Sequence, residues 1–222
     1  MTTTTTSTTT STALPTASFG TVFAHALRGH RTTVAGIESH EQELPVADWR
    51  RRANHSDWRV LDHCRGTTLD VGCGPGRMGA HLVERGHQAL GIDIVREAVG
   101  QARERGLVAI QHSLFEPMPG EGLWDTVLLA DGNIGIGGDP EALLRRCAQM
   151  LGERGRIVCD LSAPGTGLSV RDAWLTSGGL QSPTFRWARV GPEAIHALAA
   201  AAGLRRHAVR EHEGRWFAVL TR

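Results

Sequence analysis

The residues best suited to chemistry lie between Thr68 and Asp93. An apolar run containing one acid, Asp70, breaks at Gly72, Gly74 and Gly76, and a second apolar run ends in Asp93. Glycine at such a break lets the backbone turn sharply and approach a ligand with no Cβ in the way. A carboxylate closing the second run can accept hydrogen bonds from both hydroxyls of a ribose. Strand, glycine turn, helix, strand and acid in this order predict a site for an adenosine-bearing cofactor.

The spacing then discriminates between cofactors. A dinucleotide turn has the pattern G-x-G-x-x-G, whereas here Arg77 follows Gly76 and the third glycine comes one place early. A carboxylate at Asp70 would repel a pyrophosphate, while a cationic amino-acid end would be attracted to it. S-adenosylmethionine has such an end, with its ammonium and sulfonium, so the turn favours it over a nicotinamide dinucleotide.

Further candidates lie downstream. The stretch Asp131-Gly-Asn-Ile-Gly-Ile-Gly-Gly138 is glycine-rich for a strand-to-helix connection, and Asp131 or Asn133 is placed to orient an acceptor. His112, at the end of a predicted strand, is a candidate general base. The Gly/Ser/Pro-rich segment 162–190 carries Arg171, Trp174, Arg186 and Trp187, which with Trp49 are candidates for a pocket around a planar or anionic substrate. An ordinary crossover packed by its tryptophans is the competing reading of that segment. The run Asp48-Trp-Arg-Arg-Arg52 reads as a solvated helix face.

Elements to position these residues follow from periodicity. Strands are predicted at 68–71, 89–93, 109–112, 126–130 and 156–161, with helices at 77–85, 96–105 and 140–151 between them. Gly86, Gly106 and Gly152 stand where a left-handed residue ends a helix, and Asp139-Pro140-Glu141 is a helix start. Such alternation requires a parallel sheet with right-handed crossovers. After a helix over 192–202, runs at 206–211 and 215–220 form a closing antiparallel hairpin. Helical stripes at 19–28 and 46–64 precede the first strand and predict a helical lid over 19–66, with the cofactor-binding core at 67–222. The threonine tract from Thr2 to Thr12 has no apolar h-region, so residues 1–18 read as a disordered tail rather than a secretory signal.

Bulk properties narrow the class. At 222 residues and 41% hydrophobic content the chain fits one globular domain. A net charge of +1 supplies no field for nucleic acid or an anionic membrane, and no apolar run approaches the roughly 20 residues that cross a bilayer. Lysine and tyrosine are absent, which removes Schiff-base and phenol chemistry. Cys64, Cys73, Cys147 and Cys159 have neither disulfide nor metal spacing, so free thiols in a reducing cytoplasm and no metal are expected.

The stretches Leu69–Gly76, Gly91-Ile-Asp93, 124–130 and 155–158, together with the hairpin, resemble the class I S-adenosylmethionine-dependent methyltransferases over roughly residues 67–222. The resemblance implies a Rossmann-like α/β fold with a seven-stranded, mostly parallel sheet in the order 3-2-1-4-5-7-6. It implies methyl transfer from S-adenosylmethionine, with S-adenosylhomocysteine as product, to a small-molecule acceptor. Asp70, Gly72, Cys73, Gly74 and Gly76 would then wall the methionine moiety, Asp93 would hold the ribose, and Ile94 and Leu114 would lie at the adenine. The place of the family's adenine-binding acid falls at Ser113, with Glu116 as a substitute, and Asp131 would lie beside the methionine end. A fold relative that binds the cofactor without transferring methyl, and a nucleotide-dependent oxidoreductase, are the alternatives.

Overall fold

The computed structural model describes residues 14–222. Of the tail expected over 1–18, residues 1–13 lie outside the described residues, and the rest is anchored. The Ala17 N–H donates to Gln181 O and the Gln181 N–H to Pro15 O, both at 2.9 Å. Ser18 accepts from the Thr21 N–H and so caps α1 (Phe19–Leu27).

The segment expected as a helical lid is only partly helical. After α1 come two short strands, β1 (Thr32–Ala35) and β2 (Gln42–Glu43). The predicted helix over 46–64 is two helices, α2 (Val46–Arg50) and α3 (His55–Leu61). The break has a local cause: Asn54 accepts from the Asp57 N–H while Asp57 accepts from the Asn54 N–H, a reciprocal cap that starts a new helix.

From Thr68 the expected alternation holds. It runs β3 (Thr68–Val71), α4 (Arg77–Glu84), β4 (Ala89–Asp93), α5 (Arg96–Glu104), β5 (Val108–Gln111), β6 (Trp124–Leu129), a 3-10 turn at Asn133–Gly135, α6 (Pro140–Met150) and β7 (Leu151–Leu161). Asp139 caps α6 through the Ala142 N–H. Gly152 does not end α6, because the chain passes directly from Met150 into β7 and Gly152 lies within that strand. Segment 162–190, for which a substrate pocket and an ordinary crossover are the two readings, forms β8 (Leu168–Ser177), β9 (Leu180–Gln181) and β10 (Phe185–Val190). The chain closes with α7 (Ile195–Ala201) and the hairpin β11 (Arg205–His212) and β12 (Arg215–Thr221).

Seven strands form the main sheet in the order β11-β12-β7-β6-β3-β4-β5. Pairings from β7 through β5 are parallel, and β12 joins β7 antiparallel. This is the predicted order and hairpin. The four residues of β3 are all buried, since helices cover both faces of a parallel sheet. Leu69, Val127, Leu143, Ile157 and Ala199 share one core with α6 and α7, and Leu128, Val158, Met78 and Val60 form another with α3 and α4. A second, antiparallel sheet, β10-β8-β1-β2, joins the N-terminal segment to the one after β7. No helix among the described residues is long and apolar enough to cross a membrane.

Candidate active site

The carboxyl ends of β3, β4, β5 and β6 face the second sheet and α1 across a cavity of about 540 Å3. Open parallel sheets bind ligands at this edge, where crossovers to opposite sides leave a crevice. The floor is the turn after β3. Gly76 has φ 83° and precedes α4, and a Cβ there would lie 2.8 Å from the Ala102 Cα. Gly74 has φ 53° and no protein atom within 4 Å of where its Cβ would stand. One glycine is therefore required by packing, and the other leaves the floor open to a ligand.

Carboxylates fix this turn from below and from the side. Asp70, fully buried, accepts from the Gly79 N–H at 3.0 Å in the first turn of α4, where a carboxylate also complements the helix dipole. Burial, and then the charge of Asp131, push its carboxyl up to about 7. Asp93 Oδ2 accepts from the Gly74 N–H at 3.0 Å and Oδ1 from the Val95 N–H at 2.8 Å. Each oxygen keeps a lone pair for another donor, and burial raises the carboxyl above its usual range. Cys73 is buried against Gly91, which puts its thiol far above the range of a nucleophile.

Asp131 and Asn133 lie where the sequence places them, but their hydrogen bonds are committed. Both oxygens of Asp131 accept from Arg77 Nη2, at 2.5 and 2.6 Å. The Asn133 amide donates to Val71 O and Gly72 O, both at 2.9 Å, and so holds the glycine turn in place. His112 lies just past β5, where its Nε2–H donates to Pro117 O at 3.1 Å. Three strand spacings, about 14 Å, separate the end of β5 from that of β6. His112 lines the same cavity as Asp131 and Asn133 but at its β5 side, and none of the three is a free base beside the end of β6.

Ile94, Ser113 and Leu114 line the cavity with Trp49, Arg186 and Trp187. Arg171 and Trp174 do not: Arg171 is exposed, and Trp174 projects from the face of β8 opposite Leu175, which does line it. Glu116 also lies outside, 66% exposed, with its Oε2 3.7 Å from His112 Nδ1. The apolar wall includes Phe19, Val34, Phe115, Leu175 and Phe185. Phe19 meets Phe185 edge-on at 5.0 Å between ring centroids, closing α1 onto the second sheet. Arg146 holds the loop carrying Ser113 and Leu114, donating to Leu114 O at 2.7 Å and Glu116 O at 2.8 Å.

Sequence reasoning missed a buried ionic network under the β6 end of the cavity. Arg77, with its side chain 4% exposed, bridges Asp57 and Asp131. Arg215 donates to Asp57 Oδ1 at 2.6 Å and to both oxygens of Asp160, while Asp160 accepts from the Asp131 N–H at 2.7 Å. Arg51 also donates to Asp57. Burial opposes ionisation of Asp57, but the hydrogen bonds from Arg51, Arg77 and Asn54 outweigh it and hold the carboxyl well below its usual range. Three guanidiniums balance three carboxylates, which is what makes such burial tolerable. Arg77 Nε is nevertheless buried without a hydrogen-bond partner, and Arg77 lines the cavity. The available signal was an arginine immediately after the glycine turn, on the buried side of α4.

A doubly wound sheet with an open glycine floor, an acid at the end of β4 and an apolar roof defines a cofactor-dependent enzyme of the Rossmann-like class. A family model described as a methyltransferase domain matches residues 68–155. Among solved structures, the chain is similar to an S-adenosylmethionine-dependent methyltransferase from Bacteroides fragilis, in complex with S-adenosyl-L-homocysteine. That match has 25% identity and TM-score 0.78, covering 91% of this chain and 93% of that one. It is also similar in fold to the 1,6-didemethyltoxoflavin N1-methyltransferase of Burkholderia thailandensis (16% identity, TM-score 0.56, covering 75% and 76%). A third is a sugar N-methyltransferase from Streptoalloteichus sp. (21% identity, TM-score 0.53, covering 78% and 87%). A search of curated protein sequences gives no match. The chain is a class I S-adenosylmethionine-dependent methyltransferase.

Proposed function

We propose that this enzyme methylates a small, largely apolar molecule held between the glycine turn and the second sheet. The observation that carries the reading is the apolar-walled cavity of about 540 Å3, which has the dimensions of a small-molecule site. The Burkholderia and Streptoalloteichus enzymes, by their names, act on small molecules, which supports the same reading and a setting in specialised metabolism. Buried, unpaired Cys64, Cys73, Cys147 and Cys159 support a reducing cytoplasm. Within a single domain over 19–222, α1, α2 and the second sheet act as the lid. Nucleic acid and membranes are not partners in this reading.

The residues present fit the cofactor. Asp93 has lone pairs left for the ribose hydroxyls, and the open face of Gly74 admits the backbone-close part of the ligand. Ile94 and Leu114 flank the adenine and Ser113 can accept from its amino group. Asp70 and Asn133 act one step back, fixing the turn. S-adenosylmethionine, when bound, supplies a methyl carbon already activated on a sulfonium.

The protein's contribution is alignment, which can account for roughly 7–11 kcal/mol of a barrier. Trp49, Trp187 and Phe185 exclude water and hold the acceptor. Asp131 is paired with Arg77 and His112 Nε2 is bonded to Pro117 O, so the acceptor brings its own lone pair: an amine or another group that needs no base in the site. Incubating the enzyme with methyl-labelled S-adenosylmethionine and cell extract tests the reading. Label is expected in the dialysable fraction, and label confined to the macromolecular fraction would overturn it.

A further inference from the structure

His55 and His212 are separated by 157 positions, so no spacing in the chain links them. Folding brings them together, because His55 opens α3 and His212 ends β11, whose hairpin meets α3 through the Arg215–Asp57 bond. His55 Nδ1 and His212 Nε2 are 3.2 Å apart. Glu213 Oε2 is 3.8 Å from His212 Nε2, and the three ligand atoms all lie within 4.8 Å of one another. A tetrahedral ion with bonds of about 2.0–2.2 Å holds its donors roughly 3.3–3.6 Å apart. The two measured edges bracket that range, and the exposed Glu213 side chain is free to shorten the third.

The surroundings support a built arrangement. The His55 ring packs edge-on against Trp58 at 6.1 Å, and Trp58 stacks on His81 at 5.7 Å, which limits rotation of the ligand ring. Glu213 and Gly214 have φ 50° and 81°, a turn whose first position ordinarily favours Asn, Asp or Gly. Glutamate there puts a longer carboxylate beside His212 at the expense of turn preference. Glu211, by contrast, is occupied with the Gly214 N–H at 2.6 Å. None of the three ligand residues lines the cofactor cavity.

We propose that His55, His212 and Glu213 bind a divalent transition metal, with zinc(II) the best match to two imidazoles and a carboxylate, and water in the fourth position. The ion clips α3 to the C-terminal hairpin. Asp57 and Arg215, which meet in the buried network, lie two residues beyond each outer ligand: Asp57 after His55 and Arg215 after Glu213. The clip is therefore structural and takes no part in methyl transfer.

Titration calorimetry of the metal-stripped full chain with zinc chloride near neutral pH tests this, with cobalt(II) absorption reporting tetrahedral coordination. The wild type is expected to bind a single zinc ion per chain and to melt at a higher temperature when loaded. His55→Ala and His212→Ala should each weaken binding by more than the about 10–100-fold that loss of a supporting partner costs. The loss should be smaller for Glu213→Gln. His196→Ala, at an exposed histidine elsewhere, should bind as the wild type does. Retained S-adenosylhomocysteine binding in each variant establishes that it is folded. No saturable zinc binding by the wild type, or binding unchanged in both His55→Ala and His212→Ala, would overturn the proposal.

Discussion

The donor and acceptor halves of the cavity are built in different ways. The donor floor is one continuous segment, from β3 through the glycine turn to Asp93 at the end of β4, and its contacts are largely backbone. The acceptor roof is assembled from side chains on α1, β1, β8 and β10, held by a sheet that spans the chain from Thr32 to Val190. A sulfonium donor needs the same few contacts whatever receives the methyl. The acceptor is met by an aromatic surface that can be altered without disturbing the floor. The floor reaches the lid through the ionic network, where Asp57 of α3 is shared by Arg77 and by Arg51 at the end of α2.

That link should give the largest effect. Arg77→Ala leaves Asp57 and Asp131 short of a partner, and breaking a buried pair costs about 3–5 kcal/mol, so denaturant unfolding should register a loss of that order. A loss below about 1 kcal/mol, the size expected of an exposed pair, would separate the floor from the lid mechanically. Asp70 tests the floor alone. Its folded carboxyl is raised from 3.8 to about 7, so its protonated form favours folding below the unfolded value and that advantage is lost as pH rises to about 7. Wild-type stability without cofactor should carry this downward component between those values, and Asp70→Asn should remove it. Identical profiles for the two proteins would contradict the assignment.

Trp187→Ala tests the roof. Removing a large apolar wall should cost the acceptor about 1.5–3 kcal/mol, read as a raised acceptor KM with S-adenosylhomocysteine affinity unchanged. A matching loss of cofactor affinity would dissolve the distinction between the halves. The smallest effect is expected from His112→Asn, because the Nε2–H bond to Pro117 O lies about three strand spacings from the end of β6. Its kcat should stay within about twofold of wild type, with no change in the pH–rate profile, whereas a lost basic limb would mark His112 as the base.

The same contrast governs what the sequence revealed. β3, the turn, β4 and the hairpin announce themselves because their signals are local: glycine spacing, apolar runs and a terminal acid. The second sheet escaped notice because β1 and β2 are only four and two residues long, too short for a period to register. Along β8, alternation is clear only at Ala173, Leu175 and Ser177, and its partner β1 lies far back in the chain. Asp131 and Asn133 were legible as positions but not as roles. Nothing local says that Arg77 takes both Asp131 oxygens, or that the Asn133 amide is spent on Val71 and Gly72. Arg215, read as the start of a hairpin strand, likewise meets Asp57 only through the fold.

Calorimetry of S-adenosylhomocysteine binding to wild type and Asp93→Ala tests the account at its centre. Loss of charge-assisted hydrogen bonds to the ribose should cost about 1.5–3 kcal/mol, a roughly ten- to hundredfold weaker Kd, with the fold and the acceptor pocket retained. Equal affinities for the two proteins would contradict the placement of the donor on the floor between Gly74 and Asp93.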